Sequence, residues 1–320
     1  MKLQNKKVIV TGGIGFIGSH IVDELVKRGC KVTVIDDFSK GSAKNLHWAK
    51  NNGEINIVKG SVENYDLMER LVADCGIIFH EAALNLLLSN QNPIKDLLVN
   101  TLGMLNILEA ARELGTIDTI VYASSGSVYG EPIYNPQDEE HPLNPTSPYG
   151  ISKLAAEKYV LLWHKLFDVN TIALRYYNVY GPRQDYGETG GVIPIFIKRV
   201  IQNKPPIIEG DGAQERCFTH VSDVVNANIL AAENERAWGD AYNIGTEEII
   251  TIKDLAHLIV ELEGSDLRPE YAAPRMGDVK IFRPDITKAK NKLNYYPRIT
   301  LKQGLPGVIE WMKEEMYKKV

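Results

Sequence analysis

Short, uninterrupted apolar runs recur through the first half of the chain. Each is followed by a longer stretch in which apolar positions return with helical spacing. Lys7–Thr11 reads as a buried strand, Phe16–Arg28 as a helix closed by Gly29, and Lys31–Asp36 as a second strand. Ile55–Lys59, Gly76–His80, Thr119–Ser124 and Thr171–Tyr176 continue the strands, and Asp66–Ala73, Ile94–Leu114 and Tyr149–Phe167 supply intervening helices. Strands alternating with helices predict parallel βαβ units, with helices on both faces of one sheet.

The pattern then changes. Gly181–Gly191 and Asn203–Gly212 are rich in Gly, Pro and charge and read as loops. Helical spacing returns around Ile252–Leu262 and Leu305–Lys319. The fold expected is α/β: a Rossmann-type doubly wound parallel sheet with a smaller mixed α/β C-terminal lobe. Residues 1–176, together with about 219–246, are assigned to a dinucleotide-binding domain; 177–218 and 247–320 are assigned to a substrate lobe.

Bulk properties narrow the function. The 320 residues carry a formal net charge of −5, with 44% hydrophobic and 24% charged residues. That is ordinary globular composition, and no basic stripe suggests a nucleic-acid partner. Cys30, Cys75 and Cys217 are odd in number and far apart, which argues against a disulfide framework and for a reducing compartment. The histidines and cysteines lack metal-ligand spacing, no apolar run is long enough to span a membrane, and no signal peptide is expected ahead of the first strand. A cytoplasmic protein without a metal site, working away from membranes, is expected.

Candidate chemistry begins at Thr11-Gly-Gly-Ile-Gly-Phe-Ile-Gly18, where the first strand meets the first helix. Gly12, Gly15 and Gly18 allow a tight turn, close approach of a pyrophosphate, and packing of helix on strand. The helix N-terminus adds free N–H groups and a positive dipole. Three glycines alone would suit any tight turn. The second strand, however, ends in Asp36, whose carboxylate suits an adenosine ribose and would repel a 2′-phosphate. NAD rather than NADP is therefore expected.

A second cluster follows the Thr119–Ser124 strand. Tyr149-Gly-Ile-Ser-Lys153 places a phenol and an ammonium one helical turn apart, and Ser124-Ser-Gly-Ser-Val-Tyr-Gly130 lies at the strand's carboxyl end, where ligands of open α/β sheets bind. With 15 tyrosines in the chain, one such pair is expected by chance, and a polar helix face would produce it too. Position gives it weight. The Lys153 ammonium and a positive nicotinamide would both favour a Tyr149 phenolate, and Ser125 is suited to share the substrate's hydroxyl proton. A base on a carbinol oxygen beside a hydride acceptor is the minimum for alcohol oxidation.

With these motifs the chain resembles the extended short-chain dehydrogenases/reductases, and among them the UDP-galactose 4-epimerase-like sugar-nucleotide epimerases. The resemblance runs from Lys7 to about Tyr317. It is carried by TGGIGFIG, HEAA at His80–Ala83, SSGSVYG, SPYGISK and RYYNVYGPRQ at Arg175–Gln184, then by QERCF at Gln214–Phe218, PRMGD at Pro274–Asp278 and DITKA at Asp285–Ala289. It implies Ser125, Tyr149 and Lys153 as catalytic residues. Around NAD it implies Gly12, Gly15, Phe16, Ile17 and Gly18, then Asp36, Asp37, Ser61, Val62 and Ala82, with Asn100, Tyr149, Lys153 and Tyr176 on the reactive side. For a UDP-sugar it implies Ser125, Ser127, Tyr149, Asn178 and Val192, Arg216 and Arg275 on the diphosphate, Asp278 on the ribose, and Phe282 beside the sugar. It also implies a homodimer through the Ile94–Leu114 and Tyr149–Phe167 helices.

Relatives in that group differ where this chain carries Gly126 and Ser127. Dehydratases carry an Asp-Glu pair there, and sugar-acid decarboxylases a Glu at the position of Ser127. Lacking that acid, the chain reads as a UDP-sugar 4-epimerase acting on glucose/galactose or their N-acetyl forms through a transient 4-ketone. Glucuronate 4-epimerase, 4,6-dehydratase, decarboxylase and a non-catalytic ligand sensor are the alternatives. Ser61 stands where an Asp usually holds adenine, Cys217 replaces the usual Asp after Arg216, and bulk at Phe282 disfavours N-acetyl sugars.

Overall fold

The computed structural model describes residues 2–187, 189–274 and 279–317. Six strands in chain order are β1 (Lys7–Thr11), β2 (Lys31–Asp36), β3 (Ile55–Lys59), β4 (Ile77–His80), β5 (Thr119–Ser125) and β6 (Thr171–Tyr176). With Ala241–Ile244 they form one seven-stranded sheet in the spatial order β3-β2-β1-β4-β5-β6 and then Ala241–Ile244. Every pairing in it is parallel. The Rossmann-type doubly wound fold expected from the sequence is the one observed. Strand order reverses between β1 and β4, so a crevice opens beyond their carboxyl ends.

Side-chain alternation along the strands feeds two separate cores. Val8, Val10, Val32, Val34 and Phe79 pack against Phe16–Lys27 and Val221–Glu233 on one face. Ile9, Ile35, Ile78, Ile120 and Tyr122 pack on the other, against Met68, Ile107, Leu108, Ala156 and Val160 of the helices Tyr65–Val72, Gly103–Leu114 and Pro148–Phe167. A sheet covered on both faces needs such continuous apolar strands.

A third core lies in the C-terminal lobe, where Val192–Ile201, Ile252–Leu262 and Leu301–Tyr317 bury Ile193, Ile197, Leu255, Ile259, Leu305 and Val308. A small sheet beside it sets Glu215–Cys217 between Ile249–Thr251 and Ile281–Phe282.

The structure departs from the sequence reading in places. Asn203–Gly212 is not all loop: Ile207–Glu209 pairs with Glu270–Ala272. The last helix begins at Leu301, one turn before Leu305. The helix expected over Ile94–Leu114 begins at Pro93 and passes through a π-helical turn, Leu97–Leu102. Among the described residues no helix is long and apolar enough to cross a membrane.

Candidate active site

The glycine loop is built by exclusion of side chains. A Cβ on Gly12, which sits at φ +64°, would lie 2.8 Å from the backbone N of Ala82, so glycine alone lets the ends of β1 and β4 approach. A Cβ on Gly18 would lie 2.4 Å from the Gly12 carbonyl, so the helix packs directly on the turn. Beyond the loop opens a cleft of about 870 Å³, lined by Gly12, Gly15, Phe16, Ile17, Gly18, Asp36, Asp37, Ser61, Val62 and Ala82. Asp36 accepts backbone N–H groups from Ile14 (3.3 Å) and Phe38 (2.9 Å), and burial lifts its carboxyl above the usual range. The bare cradle at a helix N-terminus and the carboxyl at the end of β2 fit a dinucleotide.

The cleft also has walls that were not foreseen. Arg183, Gln184, Asp185 and Thr189 line it from one side and Lys40 from the other. Lys40 Nζ reaches Thr189 Oγ1 at 2.5 Å. Arg183 was legible only as part of the RYYNVYGPRQ motif; its bond to Asp23 Oδ2, 2.6 Å across the fold, carries no local signal.

Beside this cleft the structure brings Ser125, Tyr149 and Lys153 together. Ser147 caps the helix Pro148–Phe167 by accepting the Gly150 N–H at 3.1 Å, with Pro148 at the first helical position. Gly150 lets that helix end sit on the turn after β5, since a Cβ there would lie 2.7 Å from the Ser127 carbonyl. Tyr149 thereby faces Ser125, whose hydroxyl favours the ionised phenol. Ser125 Oγ also lies 3.2 Å from Ser127 Oγ. Lys153, one turn further, is 2% exposed. Its Nζ donates to the Ala123 carbonyl at 2.8 Å and lies 5.9 Å from the centre of the Tyr149 ring.

Electrostatics at this pair differ from the sequence reading, in which Lys153 was to ease ionisation of the phenol. Burial dominates instead. It pushes Tyr149 up to about 12, against the lowering effect of Ser125, and the carboxylates Asp96 and Glu81 push the same way. Burial also lowers Lys153 to about 8, while Glu81 and Asp96 raise it. In the protein alone, phenol and amine each resist charge, so a phenolate needs a further positive charge in the cleft. Tyr149 does stand in the first turn of a helix, where the dipole favours an anion.

Asn100 is buried behind the cleft rather than in its lining. Its carbonyl accepts the Leu84 N–H at 2.8 Å, and its amide donates to Asp96 (2.6 Å) and Ser152 (3.2 Å). It sits in the π-helical turn, so the extra residue of that turn aims it at the Pro148–Phe167 helix. Tyr176 donates to Glu81 Oε1 at 2.8 Å. Below them Glu157, fully buried, accepts Arg175 (2.6 and 3.0 Å) and Ser124 (2.6 Å), while Arg175 also reaches the Tyr129 hydroxyl at 2.6 Å.

On the lobe side, Arg216 and Phe282 are register partners in the small sheet. Phe282 packs on Tyr177, ring centres 4.7 Å apart, and reaches the turn after β5: its Cζ would lie 2.8 Å from a Cβ on Gly126. Asn178 donates its amide to the Cys217 carbonyl at 2.9 Å. Cys217 is buried with Val128, Tyr129 and Tyr177. Val192 opens the helix Val192–Ile201. Ser61 donates to Glu63 at 2.7 Å. Arg275 and Asp278 lie outside the described residues.

A doubly wound sheet with a glycine-lined dinucleotide cleft, and a Ser/Tyr/Lys cluster at the adjoining strand ends, defines an NAD-type enzyme of the short-chain dehydrogenase kind. Residues 8–245 match the model of the NAD dependent epimerase/dehydratase family, and the chain belongs to that family. It is 42% identical, over 96% of its length and 98% of the other's, to a candidate UDP-glucose 4-epimerase of Methanocaldococcus jannaschii. To a UDP-N-acetyl-alpha-D-glucosaminuronate decarboxylase of Bacillus cytotoxicus it is 36% identical, covering 97% and 98%. A UDP-N-acetylglucosamine 4-epimerase from Methanobrevibacter ruminantium, solved with UDP-N-acetylmuramic acid, superposes with a TM-score of 0.93 at 34% identity, covering 98% and 100%.

Proposed function

We propose that this chain is an NAD-dependent UDP-sugar 4-epimerase. The observation that carries the reading is the Ser125/Tyr149/Lys153 cluster, with Lys153 buried under the Tyr149 ring, beside the glycine-lined dinucleotide cleft. The turn after β5 holds Gly126 and Ser127, so the acid that elimination or decarboxylation chemistry would use there is missing. When bound, NAD accepts a hydride from the sugar's C4 and can return it.

The residues do the rest. Tyr149, directly or through Ser125, takes the proton from the C4 hydroxyl as that carbon is oxidised and gives it back on reduction. Lys153 holds positive charge under the phenol, and the cofactor's own positive ring supplies the further charge that a phenolate here needs. Arg216 and Arg275 grip the diphosphate and Asp278 the ribose, so the sugar alone turns over between the two half-reactions. Asn178, Ser127 and Val192 border the sugar. Phe282, braced on Tyr177 against the turn after β5, leaves little room for an N-acetyl group, which favours UDP-glucose and UDP-galactose. Residues 1–176 with 219–246 act as the cofactor domain, and 177–218 with 247–320 as the substrate lobe.

We further propose a homodimer. Ile94 (74% exposed), Leu97, Ile151, Leu162 and Leu166 (59%) lie exposed on neighbouring helices, and grouped exposed apolar side chains of this kind mark interfaces. The function is tested by incubating the protein with UDP-glucose, UDP-N-acetylglucosamine and UDP-glucuronate and following the sugar protons by NMR. A C4 epimer formed fastest from UDP-glucose, at unchanged mass, is expected. Loss of CO₂ or water, or no reaction with any of the three, defeats the reading.

A further inference from the structure

Glu81 follows β4 at the carboxyl edge of the sheet and lines the cofactor cleft. Nothing in the scheme above uses it. Its Oε1 accepts the Tyr176 hydroxyl at 2.8 Å, and that hydroxyl accepts the amide of fully buried Asn228 at 2.7 Å, so the carboxyl ends a fixed chain from β6 and the helix Val221–Glu233. Its backbone is pinned too: the Glu81 N–H meets the Thr11 carbonyl at 3.2 Å, and the Ala82 N–H meets Thr11 Oγ1 at 3.1 Å. The charged and titratable groups around it are Tyr176 on β6, Tyr149 and Lys153 on the Pro148–Phe167 helix, Asp96 beyond them, and His80 on its own strand.

A buried ammonium needs an anion, and Lys153 makes no ion pair within 4 Å among the described residues; its one hydrogen bond there is to a carbonyl. Glu81 and Asp96 supply the opposing field, Glu81 the larger part. Resting on the 4-epimerase reading above, we propose that Glu81 is a positioning residue for the proton transfer: a carboxylate that fixes Tyr176 at the cleft and holds Lys153 in its charged form beneath Tyr149. Glu81 is half-buried in the cleft wall, and desolvation there lifts its carboxyl to about 7.

The sign of the effect separates this role from a structural one. Glu81→Gln keeps an acceptor for Tyr176 but removes the negative charge. Losing a negative charge makes every neighbour more acidic, so Tyr149 becomes a phenolate, and Lys153 loses its ammonium charge, at lower pH. Both limbs of the kcat profile therefore move toward acid, by about one pH unit or more, with KM for the sugar nucleotide little changed. A packing defect would lower kcat without moving the limbs.

The test combines that profile with a readout independent of turnover. In cofactor-loaded protein carrying ¹³C-carboxyl glutamate, one resonance absent from Glu81→Gln is expected to titrate near pH 7, and Tyr176→Phe, which removes a bond to the ionised form, is expected to move it higher. A Glu81 resonance titrating in the ordinary carboxylate range, or a Glu81→Gln profile that superimposes on the parent's, overturns the proposal. If no UDP-sugar is turned over, the reaction assignment fails, while the resonance still judges the state of Glu81.

Discussion

The buried pair beneath β5 and β6 gives a stability prediction whose size follows from its contacts. Glu157 is fully buried and Arg175 is 4% exposed by side chain. The carboxylate accepts two guanidinium bonds and the Ser124 hydroxyl, so all three donors depend on its two oxygens. Glu157→Gln leaves one acceptor oxygen, turns an N–H₂ donor toward other donors, and strips the counter-charge from a guanidinium with no route to water. Breaking a buried pair from one side costs about 3–5 kcal/mol. Removing an exposed pair such as Lys7–Asp74 costs about 1 kcal/mol or less. The assay is urea unfolding of each variant at equal NAD concentration. A double variant, Arg175→Met with Glu157→Leu, is expected to recover more than half of the loss, because no isolated charge remains and Tyr129 keeps its bond to Asn243. A Glu157→Gln loss below about 1 kcal/mol, or a double variant weaker than the single, refutes the reasoning.

Three further outcomes are expected. Tyr149→Phe keeps NAD binding, measured by fluorescence titration, and loses about 10²–10⁴ in kcat; full turnover would remove Tyr149 as the base. Burial depresses Lys153 from 10.5 to about 8, so the unfolded chain binds more protons between those values. Stability then carries a component that rises with pH from about 8 to 10.5, and Lys153→Met should abolish that rise in denaturation measured across the window. Leu166→Asp should convert a dimer to a monomer by light scattering; an unchanged mass would place any self-association elsewhere.

Much of the sheet was legible because a doubly covered parallel sheet needs uninterrupted apolar strands, as in β1, β4 and β5, while edge strand β3 showed itself by alternation. The glycine loop was legible because Gly12 and Gly18 have no alternative at their contact distances. The pairing of Ile207–Glu209 with Glu270–Ala272 was not: each segment is three residues long, too short for alternation to register, and its partner is distant. The π-helical turn at Leu97–Leu102 leaves the apolar spacing nearly unchanged, so periodicity passes over it. In the candidate site, residue identities were legible and energetics were not. Tyr149 and Lys153 are one turn apart in any helix, but the burial that drives their proton affinities apart comes from the packing of that helix on the sheet. Glu157 and Arg175 find each other only through the fold.

The central claim, oxidation and re-reduction at one carbon, is tested most directly with UDP-galactose deuterated at C4. Incubated in unlabelled water, the sugar is predicted to yield C4-deuterated UDP-glucose, with the label neither diluted by solvent nor moved to another carbon. Deuterium lost to water, shifted along the sugar, or recovered entirely in UDP-galactose with no UDP-glucose formed would contradict the account.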